Sequence, residues 1–307
     1  MLRHAGPTGR VPVPTEKRFL INNDSAMSRR LKNASVVVTT HNKTEHVCLV
    51  LEALARQDVL PSEVLVADDG SSDATRHALA AIVSVLPFRL VHIHQPHAGF
   101  RAARSRNNAI YNAQNECIAF LDQDILPHRT WLEQHLRHLR QGRVCLGLSI
   151  PISEQASVQL TRDFVKAGSF ENLHDTVAIG QLNSLQTKYL VYSVLRRIRM
   201  AIGGRPALRS SNASACRSDL MHVNGFDEDY IGWGQEDDDL GWRLYMEGVR
   251  PVPLVNKALV SHIFHPPRHG DWRNGANIER YRRPRTSAQC KTGLSSHPHP
   301  DVTVTVL

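Results

Sequence analysis

An α/β protein with a mostly parallel sheet flanked by helices is what this sequence predicts, on three observations. Short β-branched apolar runs alternate with segments of helical period, at the spacing of βαβ units. Three polar clusters, at residues 39–41, 68–69 and 122–124, follow such runs, and right-handed crossovers would bring them to one sheet edge. At 307 residues, 41% hydrophobic and 21% charged, the chain has the make-up of an ordinary globular protein with ample core.

Taken in order, residues 1–32 carry Pro7, Pro12, Pro14 and several arginines with no sustained period, and are expected to form a disordered basic leader. Residues 34–40 are a β-branched run suited to a strand buried on both faces. Asn42 or Thr44 is placed to start the next helix, whose apolar face is Val47, Val50, Leu51 and Leu54. Residues 63–67 read as a second strand, 74–86 as a helix and 89–94 as a third strand. A helix over 100–114 leads to a fourth strand at 117–121, and a helix over 131–139 to another strand at 144–150. Residues 151–210 lack a clear period and are expected to be a variable insertion or lid, with a basic segment at 196–199 and a loop at 203–206. Residues 212–217 suit a short strand, with Ser218 capping a short helix over 219–223. A last strand is expected at 258–264, and a flexible basic tail at 275–307. The expected organisation is thus a half spanning 33–150 and a second half spanning 211–274, separated by the insertion.

The net charge of +8 would fit a nucleic-acid binder if it lay on the body. It lies in the two tails, which leaves residues 33–265 close to neutral, so no nucleic acid is expected as partner. The tails would give at most weak contact with anionic membrane surfaces. No apolar run reaches the roughly 20 residues of a membrane span. The first 30 residues hold no continuous apolar stretch of the kind a secretory signal needs. Five dispersed cysteines without a CxxC pair point to reduced, buried thiols and a cytoplasmic protein.

Two stretches carry chemistry. Asp122-Gln123-Asp124 closes an apolar strand, where residues i and i+2 of an extended chain point the same way. Two carboxylates so placed suit a hard divalent cation, Mn²⁺ or Mg²⁺, with His262 or His265 completing the shell. Such an ion would bridge the phosphates of a nucleotide. The other stretch, Gly232-Trp233-Gly234-Gln235-Glu236-Asp237-Asp238-Asp239, opens a helical segment and admits two readings. One is an acidic first turn stabilised by the helix dipole. The other is an indole platform for a sugar ring, with carboxylates that accept hydroxyls and one that acts as a base. Arg101, Arg104 and Arg106 suit phosphate oxygens or a solvated helix face.

These pieces resemble a known family. Val37-Val38-Thr39-Thr40-His41-Asn42, Val66-Ala67-Asp68-Asp69-Gly70-Ser71, Gly99-Phe100-Arg101 with Arg106-Asn107, and Asp122-Gln123-Asp124 are similar in kind and order to inverting family-2-type nucleotide-sugar glycosyltransferases of the Rossmann-like GT-A fold. The stretch from Asn212 through Asn224-Gly225-Phe226-Asp227 to Leu244 resembles the carboxyl-terminal half of β-1,4-galactosyltransferases and chondroitin-polymerase-type enzymes. The resemblance covers about residues 34–150 and 208–265.

It implies a single catalytic domain that moves a hexose or N-acetylhexosamine from a UDP-sugar to the hydroxyl of a glycan or other small acceptor. Asp69, with Asp68 beside it, would recognise base and ribose, and Thr39, His41 and Asn42 would line the same pocket. Arg101 would join this donor site. Arg106 would contact the diphosphate or brace the metal-binding pair. Asp122 and Asp124 would hold Mn²⁺ or Mg²⁺ with His262 or His265. Asp237 would be the general base, Glu236 and Asp238 would hold acceptor hydroxyls, and Trp233 and Asn212 would complete the acceptor site. The galactosyltransferases carry Gly-Gly-Glu where this chain has Gly234-Gln235-Glu236. A nucleotidyltransferase, or a non-catalytic nucleotide- or carbohydrate-binding protein, remains the alternative. The first would need a Gly-rich basic phosphate loop, which Thr39-Thr40-His41-Asn42 is not.

Overall fold

The computed structural model describes residues 31–174, 176–197, 208–266 and 275–307. Residues 1–30 of the expected leader, the end of the basic segment and the 203–206 loop lie outside the described residues. The chain runs β1 (Ala34–Thr40), α1 (Thr44–Ala55), β2 (Glu63–Asp68), α2 (Asp73–Ile82), β3 (Arg89–His94), α3 (Ala102–Asn112), β4 (Cys117–Asp122) and β5 (Ile125–Pro127). It continues through α4 (Trp131–His138), β6 (Arg143–Leu146), β7 (Ser149–Pro151), α5 (Glu154–Ser157), α6 (Arg162–Ala167) and α7 (Thr176–Arg197). The remainder is β8 (Ala213–Cys216), α8 (Arg217–His222), α9 (Glu236–Met246), β9 (Arg250–Pro253), β10 (Val260–His262), α10 (Ala276–Arg282) and β11 (Thr303–Val306).

Eight strands form one sheet in the order β11-β3-β2-β1-β4-β8-β6-β9. The four central strands are parallel, joined by α1, α2 and α3 as βαβ units. Both faces of β1 are covered, which is why its sequence is apolar without alternation. Val36 and Val38 pack with Val47, Leu51 and Leu54 of α1 in one layer. Val37 packs with Ala109 and Ile110 of α3 and Leu240 and Leu244 of α9 in the other. Burying such side chains contributes roughly 1.5–3 kcal/mol each. The five cysteines are free and buried, as their scatter predicts.

Register puts the polar strand ends together. Thr40 pairs with Asp68, Thr39 with Asp122, and Asp68 with His94. A second sheet of three strands, β5-β10-β7, crosses the end of β4 and carries His262.

Several expectations are corrected. The strand expected at 144–150 is two strands in different sheets. Gly147 breaks it by lying against Asn212, where an added Cβ would come within 2.2 Å of the Asn212 Nδ2. The strand expected at 258–264 is only three residues long, and it is not the last. Ser218 lies inside α8, and its hydroxyl donates to Glu116 rather than capping. α1 starts at Thr44 with Lys43 ahead of it and no side-chain cap. Asn42 instead takes a left-handed turn (φ 49°). Among its described residues, the 151–210 stretch is largely helical, in α5, α6 and α7. Leu182 of α7 packs on Ile150 and Val255, and the Gln186 amide bonds the backbone of Pro253 and Val255.

The largest correction concerns residues 275–307, expected to be a flexible tail. They hold α10 and β11, and β11 pairs antiparallel with β3 as an edge strand of the main sheet. Two of the arginines that suggested a solvated tail are counter-ions. Arg280 and Arg285 both bind Asp227, and Arg285 also reaches Asp239. Both aspartates are fully buried. A buried carboxylate needs such partners, and here they come from the far end of the chain.

Candidate active site

The site is built on the carboxyl ends of β1, β2 and β4 and the first turn of α9. One side begins at the turn after β2. Gly70 has φ +80° there, and an added Cβ would lie 2.4 Å from the His97 nitrogen. Asp68 is buried and points inward, accepting from Ser71 N–H at 2.8 Å and contacting His92 Nε2 at 2.8 Å. Burial pushes its carboxyl up, but the His92 and Ser71 bonds outweigh that and leave it below the usual range. Asp69 is also buried, with one oxygen accepting from Gln95 at 2.6 Å and the other from the Arg101 backbone N–H at 2.7 Å. Both carboxylates are thus spent on tying the end of β2 to its own turn, to β3 and to the loop that follows β3. Arg101 lies in the loop after β3, at the start of α3, and its guanidinium donates to the Pro96 carbonyl.

His41 and Asn42 form the opposite lip. The His41 Nδ1 donates to the Asp69 carbonyl at 2.9 Å, and its ring stacks on His97 with centroids 4.6 Å apart. Asn42 donates its N–H to the Ser71 hydroxyl and accepts from Ser72 N–H, both at 2.9 Å. Gln123, between the two aspartates, accepts from the Thr40 hydroxyl and the His41 N–H. Thr39 accepts from Arg106 Nε at 3.1 Å.

Asp122 and Asp124 diverge. β4 ends at Asp122 and the chain turns, so the i, i+2 rule of an extended strand stops applying. Asp122 accepts from Arg106 at 3.0 Å. Burial in the cleft raises its carboxyl, with Arg106 opposing. Asp124 faces His262 and His265, whose Nε2 atoms lie 3.7 and 3.5 Å from its Oδ2 and 3.2 Å from each other. The three side chains offer one ligand atom each within 4.8 Å of one another, a group that does not include Asp122. Those spacings suit a divalent ion, since bonds of about 2.0–2.1 Å place neighbouring ligands roughly 3 Å apart. Burial raises the Asp124 carboxyl, but the His262 bond prevails and holds it below the usual range.

The first turn of α9 meets the ends of β1 and β4 at Arg106. This buried guanidinium donates to Asp122 at 3.0 Å, Glu236 at 3.1 Å and Asp237 at 3.4 Å, over the Phe226 ring. Desolvation alone would lower its pKa, but Asp237, Asp122 and Glu236 more than offset this. Asp237 Oδ2 accepts from the N–H and hydroxyl of Ser210, at 2.9 and 3.0 Å. Among the described residues, its Oδ1 has the long Arg106 contact alone. Glu236 is raised, first by burial and then by Asp237, and its Oε2 is buried without a hydrogen-bond partner. Asp238 is pushed up to about 6, also by burial and Asp237. Trp233 is 46% exposed in a turn tied down by Gly232 N–H donating to the Phe100 carbonyl.

One expected acceptor residue is corrected. Asn212 is buried, accepting from Trp131 and His135 and donating to the carbonyls of Leu148 and Ala258. Its hydrogen-bonding capacity is spent inside the fold. The fourth acid, Asp239, is also structural, bonded to Arg243 and Tyr230. Ser210 and Gln123 were not expected at the site. Ser210 lies 27 residues before Asp237 in a stretch without period, and Gln123 was read only as the spacer between two aspartates.

The chain belongs to glycosyl transferase family 2, whose model matches residues 35–195, and a model described as the N-terminal domain of galactosyltransferase matches residues 205–269. It is 31% identical over 228 residues to validoxylamine A glucosyltransferase of Streptomyces hygroscopicus subsp. limoneus, covering 70% of this chain and 48% of that protein. It is 25% identical over 225 residues to chondroitin synthase of Escherichia coli, covering 70% and 32%. The chain thus spans about half or less of the length of these relatives. Among solved structures, the mannosyltransferase PcManGT of Pyrobaculum calidifontis, in complex with GDP-Man and Mn²⁺, is similar with a TM-score of 0.49 and 20% identity, covering 77% of this chain and 58% of that one. Among the described residues, no helix is long and apolar enough to cross a membrane.

Proposed function

We propose that this protein is an inverting glycosyltransferase that moves a hexose or N-acetylhexosamine from a UDP-sugar to an acceptor hydroxyl. The observation that carries this reading is Arg106, which ties the donor-side Asp122 to the acceptor-side Glu236 and Asp237 in one buried cluster. A binding protein has no need to join a phosphate-side carboxylate to a base in this way. Asp124, His262 and His265 would hold Mn²⁺ or Mg²⁺, which when bound neutralises charge on the departing diphosphate.

The chain's own groups do the rest. Ser210 fixes Asp237 through Oδ2 and leaves Oδ1 to take the proton of the acceptor hydroxyl. The hydroxyl oxygen forms a bond to the anomeric carbon as the bond from that carbon to the diphosphate oxygen breaks. The electron pair of that bond leaves with UDP, so a single displacement inverts the configuration. Glu236, whose buried Oε2 lacks a partner, would hold a second hydroxyl only once uncovered, whereas the exposed Trp233 offers a ring face to a sugar. Asp68 and Asp69 hold the turn that shapes the nucleotide pocket, while His41 and His97 line its mouth.

A screen of nucleotide sugars for hydrolysis, with and without Mn²⁺, tests this without knowledge of the acceptor. UDP-sugars should be turned over in a manner that EDTA abolishes and Asp124→Ala does not support. Turnover of no nucleotide sugar, or turnover indifferent to EDTA, sinks the proposal.

A further inference from the structure

We infer that Glu228, His297 and His299 form a second metal site, of the zinc type, that clasps the carboxyl-terminal segment onto the domain. The three side chains offer one ligand atom each within 4.8 Å of one another and share no residue with the Asp124 group. His297 Nε2 lies 2.7 Å from Glu228 Oε1, and His299 Nε2 lies 3.3 Å from Oε2. Tetrahedral zinc with bonds of about 2.0–2.1 Å separates its ligands by roughly 3.3 Å, which the His299 contact matches and the His297 contact would reach by opening slightly. Two imidazoles and one carboxylate are a donor set that suits Zn²⁺ better than Mg²⁺ or Ca²⁺.

The surroundings are those of a built site. The two histidines flank Pro298 in the run His297-Pro298-His299-Pro300, and His297 is almost wholly buried, stacked on Tyr111 of α3. Glu228 is held from the other side by Asn107 Nδ2 at 2.8 Å, an outer-sphere partner that orients the carboxylate. Asn107 also bonds the N–H and carbonyl of Phe226 and follows Arg106 on α3. A metal here would therefore join the carboxyl-terminal segment, α3 and the 226–230 loop behind the catalytic arginine. Without the ion, the same nitrogens are satisfied by hydrogen bonds to Glu228, so hydrogen bonding alone is the competing account.

Metal-free full-length protein carrying Asp124→Asn, which silences the first site, should be titrated with Co²⁺ and with Zn²⁺. The expected result is one equivalent of Co²⁺ with the strong visible absorption of tetrahedral coordination, displaced by Zn²⁺, and a Tm that rises with Zn²⁺. Adding His299→Ala, at a partly exposed position, should weaken Zn²⁺ binding by more than the roughly 10–100-fold typical of losing an outer-sphere partner. Glu228→Gln, which removes the anionic ligand but retains a hydrogen-bond acceptor for His297, should do the same if the alanine variant misfolds. The inference is overturned if Asp124→Asn protein binds no Co²⁺, or if either added substitution leaves Zn²⁺ affinity unchanged.

Discussion

At the scale of single residues, the acidic stretch of α9 divides into four different jobs. Asp239 is a fold pin, Asp237 is held with one oxygen open, Asp238 is half-buried with a raised pKa, and Glu236 is a buried acid with an oxygen lacking a partner. Glu236 carries a stability prediction. Its native pKa lies above its ordinary value of 4.5, so over the window above 4.5 the folded protein keeps a proton that the unfolded chain has lost. Stability must then fall as pH rises through that window. Glu236→Gln removes the titration, so the variant should gain on the order of 1–3 kcal/mol over the parent at pH 8. That gain should vanish at pH 4, where both states of the parent are protonated. Denaturant melts at the two pH values check this, and an equal difference at both would show that burial of the charge is not the cause. The sequence did not reveal this division, because four acids in a row look alike until tertiary packing assigns each a neighbour. Asn212 misled for the same reason: its amide suits a sugar hydroxyl as well as it suits the four buried groups it binds.

At the scale of elements, the parallel core was legible because burial on both faces leaves a plain record in sequence, as in Val36, Val37 and Val38 of β1. The split of residues 144–150 was not, since Gly147 acts through a contact with a residue far along the chain. The turns after β2 and β3 show how glycine serves the donor pocket. Gly70→Ala meets both a left-handed backbone and the His97 main chain, so it should cost roughly 2–4 kcal/mol and disturb the His41–His97 stack. Gly99→Ala has the same backbone conformation (φ +76°) with open space around it, and should cost only about 1–2 kcal/mol. Thermal melts with nucleotide-binding isotherms separate the two. Equal losses of stability and of affinity would mean that backbone conformation alone matters at Gly70. Gln235 also sits in the left-handed region (φ 74°), at the position where the galactosyltransferase-like pattern has glycine.

For the whole molecule, the carboxyl-terminal segment is part of the domain, which changes what a truncation does. Arg285→Ala removes one of two cations from each of two fully buried aspartates, with Arg280 and Arg243 remaining, and should destabilise the protein by about 1.5–3 kcal/mol. Removing residues 275–307 should abolish soluble expression, because it also uncovers the edge of β3. A truncated protein that melts like the parent would contradict this. Composition hid the segment, since arginines, histidines and prolines without a period look the same whether solvated or paired with buried acids. At this scale the proposed activity turns on Arg106, where donor and acceptor halves would meet, with Asp237 serving only the acceptor's proton. Asp237→Asn keeps the shape and a carbonyl-type acceptor for Ser210 while removing most of the basicity. The direct test measures, on that one variant, donor affinity by calorimetry and kcat by turnover. Donor affinity should stay within about threefold while kcat falls roughly 10²–10⁴-fold, the usual worth of general base catalysis. Near-normal kcat, or loss of donor binding alongside it, would contradict the claim and return the cluster to a purely structural role.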